Sequence, residues 1–191
     1  MSLGIFRTIR GSYAAGYRKE ADKIIRLLND ELQSRRLPDF RDSDPDERMR
    51  RPLPCGNAGA STFAALQKLA QEAQLSWTLG GLRGARQIAL PMDFAETFSI
   101  RLGRTLFFAT VMQDFASVRT IRDEVIALAP LLKIHLEHGV LSDALSERLN
   151  DGKGVADDEP PGLLESERGL WLDLYYATRY CLEDSTPLVI A

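Results

Sequence analysis

Between Leu163 and Ala191 the chain carries apolar residues on almost every side of a predicted helix. Leu164, Leu170, Trp171, Leu172, Leu174, Tyr175, Ala177, Cys181 and Leu182 leave only a thin polar stripe through Glu165, Arg168, Asp173 and Glu183. A helix coated in this way belongs in a core rather than on a surface. Asp184, Ser185 and Pro187 end it, because the residue before a proline disfavours helix. Leu188, Val189 and Ile190 then form a short apolar run of the interior-strand kind. The end of the chain is thus predicted to be its structural centre.

The remaining pattern is read around that centre. Ile5, Phe6, Ile9 and Tyr13 predict a short helical segment, weakened by Gly11. Tyr17, Ala21, Ile24, Ile25, Leu28 and Leu32 recur every three or four positions and predict an amphipathic helix with a charged back. Residues 36–60 form a long connection rich in proline and charge, a type of segment that is usually functional or mobile. Ser61 or Thr62 is the expected cap of a helix over 61–75. Trp77 to Leu79 and Gln87 to Met92 read as strands around the GGLRG turn. Thr97 to Leu102 alternates apolar and polar residues, Gly103 turns the chain, and Thr105 to Met112 returns as the second arm of a hairpin. Asp114 or Ser117 caps a further helix that Pro130 shortens, Lys133 to Leu136 is a short strand or a frayed helix end, and Ser142 caps a small helix ending at Leu149.

Helices before and after a group of strands predict an α+β fold. One mostly antiparallel central sheet, holding a hairpin near 97–112 and a C-terminal strand at 187–191, packs with about five helices. The 191 residues suit a single globular domain over 1–191. The formal charge of -3, from 24 basic and 27 acidic residues, gives no net attraction to nucleic acid or to an anionic membrane. No window approaches the apolar length of a bilayer span. The 2 cysteines lie far apart in sequence, which predicts free thiols and a cytoplasmic protein.

Candidate chemistry gathers first at Cys55. The stretch PCGNAGAS places a thiol and a Gly-rich turn ahead of a predicted helix, whose first amides and dipole favour anions, a thiolate included. Gly56, Asn57, Gly59 and Ser61 complete a candidate anion-binding turn, to which Arg83 and Arg86 would add guanidinium groups. Cys55 to Ala58 resemble a fragment of the Cys-Gly-Asn loop of diaminopimelate epimerases. That resemblance implies a cysteine that moves a proton and a loop that holds a carboxylate. Those enzymes use a second cysteine in a matching half, whereas Cys181 falls in the predicted core helix, so no role passes to this chain.

His135 and His138 are three apart, on one face of a helix but on opposite faces of a strand. The HExxH pattern is missing from the sequence and no third ligand lies nearby, so no metal and no cofactor are expected. Asp151, Asp157, Asp158 and Glu159 form an acidic loop without calcium-loop spacing. Tyr176 and Tyr180 flank the polar stripe of the core helix and could line a cleft, while Trp171 and Tyr175 read as core.

Local motifs supply no complete set of nucleophile, base and oxyanion stabiliser. The preferred reading is therefore a non-enzymatic binding protein with a protein partner, of inhibitor or immunity type, contacted through the 36–60 connection and the acidic loop. Neither nucleic acid nor membrane is expected as a partner. The alternative is a small cysteine-dependent enzyme or anionic-ligand-binding domain centred on Cys55. The Tyr17 to Leu32 stripe would serve a homodimer as well as its own core.

Overall fold

The computed structural model describes residues 4–42, 59–84, 86–104, 110–156, 162 and 164–191. Its centre is a mixed sheet of five strands: β1 (Ile5–Phe6), β2 (Gln87–Leu90), β3 (Phe98–Arg104), β4 (Thr110–Ser117) and β5 (Leu188–Ile190). Their order is β1-β5-β2-β4-β3. Only the β2 to β4 pairing is parallel, so the sheet is mostly antiparallel and the fold is α+β as expected.

Alternation along these strands sorts the core into two layers. Ile88 pairs with both Phe115 and Val189, and Phe115 also pairs with Phe98, which puts all four on one face. The rings of Phe98 and Phe115 stack there, 5.5 Å apart. Helix α1 (Arg18–Ser34) covers that face with Ala21, Ile24, Ile25, Leu28 and Leu32. Ala89, Ala116, Leu188 and Ile190 face the other way, against α2 (Ala60–Glu72), α3 (Val118–Leu128) and α5 (Glu165–Glu183). Small residues on the central strands let the helices approach closely, and large ones on the helices fill the space.

Helix α5 is the expected core helix. Trp171 is fully buried, and its Nε1 donates to the Val125 carbonyl of α3 at 2.7 Å. Its polar stripe is narrower than predicted, because Arg168 is 2% exposed and donates to the Leu132 carbonyl at 2.9 Å. The helix before it, α4 (Asp143–Asn150), packs against α5.

Several local expectations are corrected. The segment before α1 is not a helix but the edge strand β1 followed by a 3-10 turn at Arg10–Ser12. Trp77 to Leu79 is not a strand. It leads into a 3-10 turn at Leu79–Gly81, held by the buried carboxylate of Glu124, which accepts from Ser76 Oγ and from Thr78 N and Oγ1. Neither Ser61 nor Thr62 caps α2, which starts from the extended residue Gly59 without a side-chain cap. Gly103 lies inside β3 at a register shift rather than at the turn. Strand β4 runs on to Ser117, past the expected end at Met112, because Asp114 is buried and satisfied by Ser99 and Arg83. Ser117 is the cap of α3, accepting from Arg119 N at 3.2 Å. No described helix is long and apolar enough to cross a membrane.

Candidate partner-binding surface

The centre of the sequence-predicted anion site lies outside the described residues. Cys55, Gly56 and Asn57 lie outside them, as do Asp157, Asp158 and Glu159 and most of the 36–60 connection. Gly59 serves as the start of α2, where its carbonyl accepts from Thr62 N and Phe63 N, and Ser61 is exposed on the first turn. Arg83 is spent on Asp114, through its backbone amide at 2.8 Å and its Nε at 3.1 Å. The Asp114 carboxyl is pushed up by burial, but the Ser99 hydroxyl and the Arg83 donors outweigh this and hold it below the usual carboxylate range. Arg86 lies over the Tyr13 ring, 3.5 Å from its centroid, and donates to Ser12 Oγ at 2.9 Å.

The two histidines sit in a turn rather than on a shared helix face. A bridge between Glu137 and Val140 closes that turn, His138 has a left-handed φ of 52°, and both imidazoles are exposed. His135 borders an apolar groove of about 440 Å³ with Ile126, Pro130 and Leu136. Among the described residues, no group of three or more His, Cys, Asp or Glu side chains is placed to hold a metal ion. The buried Cys181 thiol is pushed up to about 12 by burial and donates to the Pro187 carbonyl at 3.3 Å, so it is not a nucleophile.

A different surface stands out, built by α4 on the back of α5. The Tyr175 hydroxyl accepts from Leu141 N at 3.0 Å and donates to the Gly139 carbonyl at 3.3 Å, which fixes the chain entering α4. Ser142 then caps the helix as expected, accepting from Leu145 N at 3.3 Å. Leu149 and Ser146 turn inward, and Ser146 Oγ meets the Tyr176 hydroxyl at 2.7 Å. The opposite face must therefore present Asp143, Glu147 and Asp151, four residues apart and all exposed. Each step of four rises about 6 Å along the axis.

Helix α5 adds to this row from its first turn. Gly152 ends α4 with φ 67°, and a Cβ built there would stand 2.9 Å from Glu165 Oε1, so the two helix ends meet carboxylate against glycine. Glu167, two residues further on, is half-buried. Asp151 pairs with Lys153 at 2.7 Å, whereas Asp143, Glu147, Glu165 and Glu167 have no ion-pair partner among the described residues. The wider sequence carries the same bias. Residues 134–191 hold 12 acidic against 4 basic residues, a net charge of -8, while residues 1–133 hold 15 against 20, a net of +5.

Sequence reasoning missed this surface because it used the charge of the whole chain. The sum of -3 conceals two stretches of opposite sign, and a running count would have found the boundary. The acidic loop is read from the sequence as a partner contact without calcium-loop spacing, but Asp157, Asp158 and Glu159 lie outside the described residues. Of the aromatic residues singled out, Trp171 and Tyr175 stack in the core, while Tyr176 is half-buried and Tyr180 is 38% exposed.

Comparison with known proteins gives one finding. The family model described as "Putative DNA-mimic protein" matches residues 88–190, a stretch that includes the whole acidic row. No curated protein and no solved structure matches the chain. The family match corrects the expected function and partners. It sets aside the inhibitor- or immunity-type protein with an unspecified protein partner and no connection to nucleic acid, and equally the Cys55-centred enzyme or anion binder. The homodimer stripe is corrected on structural grounds: Ala21, Ile24, Ile25, Leu28 and Leu32 are buried against the chain's own sheet.

Proposed function

The chain belongs to this DNA-mimic family, and from that premise we propose that it occupies the DNA site of a DNA-binding protein in place of DNA. The observation that carries the reading is the row Asp143, Glu147, Asp151 and Glu165 on the matched segment.

A duplex presents its partner with fixed negative charge, about one per 1.7 Å of axis, and neighbouring phosphates on one strand lie about 7 Å apart once winding is included. A DNA-binding site answers with lysine and arginine, and much of its affinity comes from neutralising that array. Carboxylates repeated on one helix face at steps of about 6 Å offer a comparable spacing. They are displayed on a helix whose other face is fixed by the Ser146 to Tyr176 hydrogen bond and by Leu149. A rigid row loses less entropy on binding than carboxylates on loose side chains in a loop. The first 133 residues carry a net +5, so the chain's excess of negative charge is concentrated after residue 133, where it favours approach of a basic site. A cytoplasmic setting suits this role and the free Cys181 thiol.

The test is displacement by DNA. Cell extract is passed over the immobilised protein, and bound proteins are eluted with duplex DNA at constant salt. The expected result is release of DNA-binding proteins by duplex, with retention lost when Asp143→Asn, Glu147→Gln and Glu165→Gln are combined. Proteins that stay bound in excess duplex would overturn the reading.

A further inference from the structure

Helix α5 is buried on most sides, and its less buried stripe runs along the edge where α4 docks, with Tyr176 meeting Ser146 and Glu165 facing Gly152. Glu165, Gly169, Asp173, Tyr176 and Tyr180 recur every three or four positions and therefore lie along one line of the helix. The Tyr176 and Tyr180 rings stack at 5.9 Å with an interplanar angle of 19°, and Tyr180 is 38% exposed. Gly169 stands in the middle of this stripe. A glycine inside a helix is destabilising relative to alanine, and no packing among the described residues demands it here, since a Cβ at Gly169 would meet none of them within 4 Å. The missing side chain leaves a notch beside Asp173.

Asp173 has no hydrogen-bond or ion-pair partner among the described residues. On the same helix, Arg179 is engaged with Glu183 at 2.7 Å and Arg168 with the Leu132 carbonyl at 2.9 Å. Half-burial of a carboxylate without a counter-charge is unfavourable, and burial pushes its pKa up to about 7. The chain thus holds an uncompensated acid, an open notch and an aromatic face on one line of one helix. Those three features match the guanidinium group, which takes a carboxylate at its edge and an aromatic ring on its face; the ammonium of lysine fits the second less well.

We propose that the stretch of this stripe from Gly169 to Tyr176, with Asp173 between them and Tyr180 stacked on Tyr176, seats an arginine side chain of the DNA-binding partner. The inference rests on the DNA-mimic reading and adds to it one specific contact, distinct from the general attraction of the α4 row. Phosphate backbones attract lysine and arginine alike, but this seat selects arginine.

The test uses two probes of equal charge, nona-arginine and nona-lysine, titrated into the full chain at low salt. Wild type should bind nona-arginine about five-fold or more tightly than nona-lysine. Tyr180→Ala and Asp173→Asn should remove most of that preference. Gly169→Leu should fill the notch and abolish it while raising the melting temperature, which separates blocked binding from a damaged fold. Asp143→Asn with Glu147→Gln should weaken both peptides alike and leave their ratio intact. A ratio unchanged in Gly169→Leu and Tyr180→Ala overturns the seat but not the DNA-mimic reading. No binding of either peptide to wild type overturns both. A concentration-dependent dimer that Gly169→Leu dissolves would assign the face to a second copy and also overturn the seat.

Discussion

Ser146 on α4 and Tyr176 on α5 share a hydrogen bond of 2.7 Å between their hydroxyls, and that contact sets which face of α4 meets solvent. With Ser146 and Leu149 turned inward, the 100° step of the helix leaves Asp143, Glu147 and Asp151 outward. The acidic row is thus a consequence of how α4 docks, and the docking depends on a core helix whose other residues are committed to the sheet.

Loss of either hydroxyl should loosen this docking without unfolding the protein. Tyr176→Phe and Ser146→Ala are each expected to lower stability by about 1 kcal/mol in urea titration. The double variant should cost less than the sum, since both remove one bond. Strict additivity would show that the two hydroxyls act independently.

Glu124 is the second internal fastener. Its carboxylate, 6% exposed, accepts three hydrogen bonds from Ser76 and Thr78 and so holds the segment between α2 and β2 against α3. Glu124→Ala would leave the Thr78 amide and two hydroxyls without their acceptor, at a cost of about 2–3 kcal/mol. Faster amide exchange at Thr78, read by mass spectrometry, is the local sign that should accompany the loss of stability.

These two fasteners show where the sequence could be read and where it could not. The C-terminal helix and strand were legible because their apolar residues leave almost no polar face, and Ser142 was legible because a cap acts within one turn. The loop at Trp77 was misread as a strand because the group that shapes it, Glu124, lies 46 residues from Thr78 in sequence. Arg168 was placed on the polar stripe because nothing local reveals the Leu132 carbonyl that receives it. The acidic surface was concealed in another way. Each carboxylate was visible, but their shared face depends on α4 docking, and the total charge averaged it against the basic first part of the chain. The Gly169 notch could not be recognised at all before the neighbours of α5 were known, since a helix glycine is unexplained only when nothing crowds it.

Removing 187–191 should unfold the protein rather than fray it. β5 lies between β1 and β2, pairing Ile190 with Ile5 and Val189 with Ile88. Leu188, Val189 and Ile190 are buried, and fully burying each such side chain is worth about 1.5–3 kcal/mol. Their combined loss rivals the whole stability of an ordinary domain, about 5–15 kcal/mol. Circular dichroism of the truncated chain should show no cooperative melt; a normal melt would contradict the central place given to this strand.

Asp173 gives a prediction whose sign depends on pH. Burial raises its folded pKa from 3.8 to about 7, with no charged neighbour contributing. Below the unfolded value both states carry the proton, and the burial of charge costs nothing. Between 3.8 and about 7 the unfolded chain has released a proton that the folded chain retains, so stability falls as pH rises. Above about 7 both states are ionised and the full penalty applies. Asp173→Asn cannot ionise, so its melting temperature relative to wild type should climb between about pH 4 and about pH 8, with most of the gain complete once the folded carboxyl has titrated. Other titrating groups cancel in the difference between the two proteins. A difference that stays flat across this range would mean that Asp173 is solvated or paired, and with it the uncompensated charge offered to a partner's arginine would disappear.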